Sequence, residues 1–194
     1  MSPSDDPSGE IFFSVVDLET SGLESENHRI LQAAVVSLDR RFRNLGEWSA
    51  FVRPPRVLTA DLGPVEIHGI RRRDVLLARG IGPNLRRIAE LTAGTVVVAH
   101  NAAFDVSFLR AAARREGVEF AWRGTLCTLD LARRLGDRSL PNHRLATLCE
   151  RFGVGLDNAH EALADARAAA GILPHLLASL GVGADDPIDR YVRS

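Results

Sequence analysis

The chain has 194 residues, 45% of them hydrophobic and 25% charged, which suits one soluble globular domain with a substantial core and excludes disordered and fibrous classes. A formal net charge of −1 excludes a field over the whole molecule as a means of holding polyanions, so any nucleic-acid affinity must come from local patches. Two cysteines, no Cys-x-x-Cys pair, no His-Glu-x-x-His spacing, no apolar run long enough for a bilayer and an acidic start (Met1 to Asp6) exclude a disulfide framework and the common zinc motifs, and they predict a cytoplasmic protein without membrane contact.

Residues 1–9, rich in Ser, Pro, Asp and Gly, read as a disordered tail. From Phe12 a β-branched and aromatic run ends in Asp17-Leu18-Glu19-Thr20 and a Gly-containing turn, the pattern of a buried strand that delivers two carboxylates to its C-terminal edge. Side chains alternate along a strand, so Asp17 and Glu19 share a face. Two carboxylates on one face repel, and a hard divalent cation is the usual remedy; two solvated acids at a strand end are the plainer alternative. Arg29 to Leu38 reads as a second strand and Leu45 to Val52 as a third, joined by a tight turn at Asp39-Arg40-Arg41 into an antiparallel meander.

Pro54, Pro55 and Pro64 punctuate a long loop that closes on Ile67-His68-Gly69-Ile70. Helices follow over Arg71 to Leu77 and about Pro83 to Leu91. Thr95 to Ala99 is continuously apolar, as in a central strand covered on both faces, and leads through His100-Asn101 into a helix over Ala102 to Glu116 closed by Gly117. Polar residues at such a junction sit where open α/β sheets bind ligands. Thr125 to Leu129 reads as a strand. Helices over about Leu129 to Leu135 and Leu145 to Phe152 precede a long one that starts near His160, with Pro174 expected to kink or divide it. Strands followed by alternating helices and strands predict one α/β domain, a mixed sheet flanked by helices, over residues 10–181, with 182–194 as a C-terminal tail.

Five residues separate His160 from Asp165, about 140° of helical rotation, so both cannot face one way from within a helix. His160 therefore belongs at the helix entrance and Asp165 one turn deeper. Glu161, four residues before Asp165, is a rival for the same face.

Asp17-Leu18-Glu19-Thr20, His100-Asn101-Ala102-Ala103-Phe104-Asp105 and His160-Glu161-Ala162-Leu163-Ala164-Asp165 resemble, in order and in context, the three exonuclease motifs of the DEDD superfamily. The histidine before the last Asp is similar to that of the histidine subgroup, typified by the epsilon proofreading subunit of bacterial DNA polymerase III. The resemblance runs from about Ile11 to Leu180. It implies a ribonuclease-H-like mixed β-sheet flanked by α-helices, and a 3′-to-5′ exonuclease that releases nucleoside 5′-monophosphates from a single-stranded 3′ end, DNA before RNA. It also implies two Mg²⁺ or Mn²⁺ ions held by Asp17, Glu19, Asp105 and Asp165, with His160 as general base. By the same similarity Thr20 and Leu23 approach the terminal nucleotide.

Other assignments stay open between binding and structure. Asn101 suits a contact to the substrate backbone or a helix cap, Phe104 a stacking platform or the core, and His68 a substrate contact or a loop hydrogen bond. His100 reads as structural. All 24 basic residues are Arg, most simply a coding bias, and Arg71-Arg72-Arg73 is either a phosphate track or a solvated helix face. The alternatives to a DNA exonuclease are an exoribonuclease and a module that binds a nucleic-acid end or a DNA polymerase subunit, with Asp185 to Ser194 as a candidate docking segment.

Overall fold

Five strands are ordered β3-β2-β1-β4-β5 in one sheet. They are β1 (Phe13–Thr20), β2 (Ile30–Leu38), β3 (Asn44–Phe51), β4 (Val96–Ala99) and β5 (Gly124–Cys127) in a computed structural model that describes residues 10–157 and 159–194. The first three form the expected antiparallel meander, and β4 and β5 run parallel to β1. The β2–β3 turn is built by Asp39, whose carboxylate accepts the N–H groups of Arg41 and Arg43 and pairs with the Arg43 guanidinium.

Alternation along β1 sorts the core into two layers. Phe13 and Val15 face one side, with the Ala-rich α7 (Ala162–Ser179), α5 (Thr128–Leu135) and α6 (Leu145–Phe152) packed on it. Val16 and Leu18 face the other, against α3 (Ile81–Thr92) and α4 (Ala102–Glu116). The small side chains of Ala162, Ala166, Ala168 and Ala169, all buried, leave room for α7 to lie close on β1 and β2. At Gly171 a β-carbon would press into the Val154 side chain.

Pro174 does not divide α7, which continues to Ser179. Leu173, Leu176 and Leu177 on both sides of it are buried in the same core, and that packing outweighs the single backbone hydrogen bond the proline removes. The Pro-rich connection after β3 carries two short helices, α1 (Val65–His68), which the sequence did not announce, and α2 (Arg72–Leu76). Residues 182–194, read as a tail, pack on the domain. Val182 and Ile188 are buried, Thr125 and Arg193 form an antiparallel bridge, and the Arg193 guanidinium reaches Asp130 at 2.7 Å. The segment 1–9 lies outside the described residues. Cys149 is buried, and Cys127, the last residue of β5, is half-buried. No described helix is long and apolar enough to cross a membrane.

Candidate active site

The site forms where the last residues of β1 outrun their parallel neighbour. Pairing of β1 with β4 stops at Val15↔Val98, and the polypeptide of β4 turns away into α4. Asp17 and Glu19 continue the file of Phe13 and Val15 on the α7 face, with Leu18 between them buried in the opposite layer. On the side that β4 vacates, Asp105 is buried in the first turn of α4, where the backbone N–H groups of Leu18 and of Asp105 itself favour its carboxylate. Asp105 thus lies beside the backbone between the two acids of β1.

The third contribution comes from the entrance to α7. His160 is exposed, stands outside the helix and holds φ +70°, a left-handed conformation uncommon for a non-glycine residue. This turn makes the five-residue spacing work, for it brings ligand atoms of Glu19, His160 and Asp165 within 4.8 Å of one another. The His160 N–H donates to Asp165 Oδ2 at 3.3 Å, while Asp165 Oδ1 is buried with no hydrogen-bond partner among the described residues.

Burial, followed by the carboxylates of Asp105, Asp165, Glu19 and Glu161, pushes Asp17 well above the ordinary carboxylate range. Glu19 is pushed to about 8 by burial and then by Asp165 and Glu161. Burial also lifts Asp105 to about 8, against the lowering influence of the backbone N–H groups of Asp105 and Leu18 and with a further push from Glu19. Asp165 is raised by burial, which the neighbouring His160 opposes and Glu161 reinforces. A cluster of acids that resist ionisation, one with an orphaned buried oxygen, fits a divalent cation: it supplies the missing partner and the missing positive charge together.

Glu161, the sequence-level rival of Asp165, is committed elsewhere. It is the N-cap of α7, accepting the Ala164 N–H at 3.0 Å and the Gln32 side-chain amide at 2.9 Å. Gln32 itself went unnoticed in the sequence, where its only signal is a buried amide in an apolar strand.

The expected substrate contacts separate into two groups. Leu23 is 83% exposed at the turn after β1, Thr20 supports that turn by donating to the Gly22 carbonyl, and Asn101 is exposed, left-handed and makes no side-chain cap, which leaves its amide free at the α4 junction. His68 is buried, with Nδ1 accepting the Ile70 N–H and Nε2 2.9 Å from the Leu62 carbonyl oxygen, so both ring nitrogens are taken up in stapling the α1 loop. Phe104 is half-buried, its ring 4.9 Å from that of Phe108. His100 is structural: Nδ1 lies 3.0 Å from the Thr128 hydroxyl, and burial holds its imidazole down at about 4, so it stays neutral. Within the arginine run, Arg72 donates to the Val57 and Ala60 carbonyls and pins the Pro-rich loop.

A mixed sheet of this order, with Asp17, Glu19, Asp105, Asp165 and His160 presented at one edge, defines an exonuclease domain of the DEDD type. The sequence matches the RNase_T family, described as "Exonuclease", over residues 14–173, and the chain belongs to that family. It is 36% identical over 186 residues to a Mycobacterium tuberculosis protein named as a bifunctional exonuclease/endonuclease, and 34% identical over 168 residues to the PolC-type DNA polymerase III of Caldanaerobacter subterraneus. Those alignments take in 92% and 87% of this chain but 28% and 12% of the relatives, so the chain spans a minor part of their length. In fold it is similar to Escherichia coli exonuclease I in complex with a dA16 oligonucleotide (TM-score 0.74, 24% identity, 89% of this chain and 43% of that one). It is also similar to exonuclease X in complex with 5′ overhanging duplex DNA (TM-score 0.66, 24% identity, 92% and 98%).

Proposed function

We propose that this protein is a divalent-cation-dependent 3′-to-5′ exonuclease that removes nucleoside 5′-monophosphates from the 3′ end of single-stranded DNA. The observation that carries the reading is the convergence of Glu19, His160 and Asp165, whose ligand atoms lie within 4.8 Å of one another beside a buried Asp165 oxygen with no hydrogen-bond partner among the described residues. In this reading Asp17, Glu19, Asp105 and Asp165 hold two Mg²⁺ or Mn²⁺ ions. Such ions neutralise phosphate charge and stabilise the attacking and leaving oxygens of an in-line displacement.

The chain's own residues supply the rest. His160, exposed at the rim, takes the proton from the attacking water, for which it must be a neutral imidazole within hydrogen-bond reach. The water oxygen adds to the terminal phosphorus, the 3′ oxygen of the preceding nucleotide leaves, and the mononucleotide is released. Leu23 offers an apolar surface to the terminal base from a turn that Thr20 supports, and the free Asn101 amide suits the substrate backbone. Phe104 packs against Phe108 in the core layer beneath α4, and His68 contributes by fixing the α1 loop rather than by touching substrate. The PolC-type relatives support a place beside a DNA polymerase, in the cytoplasm.

The test is digestion of matched 5′-labelled single-stranded DNA and RNA with Mg²⁺, Mn²⁺ or chelator, alongside His160→Ala. The expected result is a cation-dependent ladder shortening from the 3′ end, faster on DNA and lost in the variant. A faster RNA ladder would replace DNA by RNA as the substrate. No cleavage of either would leave a module that binds nucleic-acid ends.

A further inference from the structure

Gln32 is 4% exposed on β2 and stands directly opposite Glu19 in the β1–β2 register, so the two side chains share the α7 face of the sheet. Its Nε2 donates to Glu161 Oε1 at 2.9 Å and its Oε1 accepts the Ala162 N–H at 3.3 Å. The other Glu161 oxygen accepts the Ala164 N–H at 3.0 Å. Two side chains therefore satisfy two of the N–H groups that a helix leaves open in its first turn. His160 precedes this turn in a left-handed conformation, and Asp165 closes it, donating its N–H to the Glu161 carbonyl and accepting the His160 N–H at Oδ2.

We propose that Gln32 is a positioning residue for catalysis: with Glu161 it clamps the first turn of α7 onto β2 and so sets His160 and Asp165 against Glu19. This rests on the exonuclease reading of the site. Gln32 acts through Glu161, Ala162 and Ala164. The position needs a donor and an acceptor on one short group. A leucine there would strand the Ala162 N–H and one carboxylate oxygen in a buried place, and a glutamate would set two carboxylates face to face. The clamp also accounts for Glu161 standing aside as a cation ligand, since both its oxygens are occupied.

The pattern of donors makes a reciprocal exchange possible. In the double variant Q32E/E161Q, residue 32 still accepts from the Ala162 N–H, residue 161 still accepts from the Ala164 N–H, and the amide between them donates in the opposite direction. Turnover on 5′-labelled single-stranded DNA, Mn²⁺ binding to the substrate-free protein by calorimetry, and the thermal midpoint in chelator would be measured for wild type, Gln32→Leu, Gln32→Glu, Glu161→Gln and the double variant.

Each single variant is expected to lower kcat by roughly tenfold or more with KM nearly unchanged, and to weaken Mn²⁺ binding by roughly tenfold, as displaced catalytic and outer-shell groups do. The exchange is expected to restore both to within about threefold, the coupling expected of groups in one hydrogen-bond network. Wild-type kcat and Mn²⁺ affinity in Gln32→Leu would overturn the clamp, as would a lowered midpoint with both unaltered, or an exchange no better than its worse parent. Absence of cleavage by the wild type would defeat the functional reading instead, and the Mn²⁺ titrations would still decide the clamp.

Discussion

Removing divalent cations should make the fold less stable as pH rises through neutrality, the reverse of what salt-bridged acids produce. Glu19 and Asp105 are both pushed to about 8 in the native protein, from ordinary values of 4.5 and 3.8. Between those limits the native chain holds protons that the unfolded chain has lost, so stability falls with rising pH until both groups have ionised. His100 acts the other way. Its native value of about 4 against an ordinary 6.5 means that stability rises through that interval and levels off above it. The clean window is therefore pH 6.5 to 8.5. There each carboxyl contributes at most about 1.4 kcal/mol per pH unit, and with solvent screening of the half-open cluster the expected loss is about 2 kcal/mol. For a domain of this size that lowers the thermal midpoint by roughly 4–8 °C. Saturating Mn²⁺ binds only the native, deprotonated site and should restore about 2.7 kcal/mol at a hundredfold excess over its dissociation constant, most effectively at the upper end of the window. Circular-dichroism melts in chelator and in Mn²⁺ across the window make the measurement. A chelator midpoint that is flat or rises from pH 6.5 to 8.5 would refute the reasoning.

Asp17→Asn should abolish cleavage, leave the fold intact and raise the chelator midpoint at pH 8, because it deletes the charge that every other acid of the site opposes; unchanged turnover would sink the cation assignment. His160→Ala should lower the cleavage rate by about 10²–10⁴ while shifting the thermal midpoint little, since the side chain is exposed, and an undiminished rate would remove it as the base. Gly63 and Gly69 hold φ of +73° and +68°, yet a β-carbon would press on the Ser21 carbonyl at the first and meet nothing at the second. Gly69→Ala should thus cost about 1 kcal/mol for conformation alone, and Gly63→Ala clearly more, with loss of activity because Ser21 leads into the Leu23 turn. Equal urea midpoints for the two variants would refute the close approach.

Much of the fold is legible in the residues themselves. The β-branched and aromatic run before Asp17, the continuous valines of β4 and the Gly117 stop after α4 act through local sterics and burial, and their elements fall within a residue or two of expectation. Interactions between distant segments account for the departures. Pro174 by itself suggested a kink or a break, but leucines on both sides share one core. Residues 182–194 show no periodicity because their order comes from a bridge to Thr125 and an ion pair with Asp130.

The same division runs through the site. The sequence by itself determined the chemical inventory, two carboxylates on one strand face, a third after a buried strand and a His-x-x-x-x-Asp pair at a helix entrance, since residue type and short-range period suffice to name such groups. Only the tertiary structure decided how they are used. The left-handed turn at His160 reconciles a spacing that no helix allows, the first turn of α4 buries Asp105, and a glutamine 129 residues away takes Glu161 out of contention as a ligand. These are matters of which hydrogen-bond partner arrives across the sheet, and burial then raises the cost of leaving any of them unpaired.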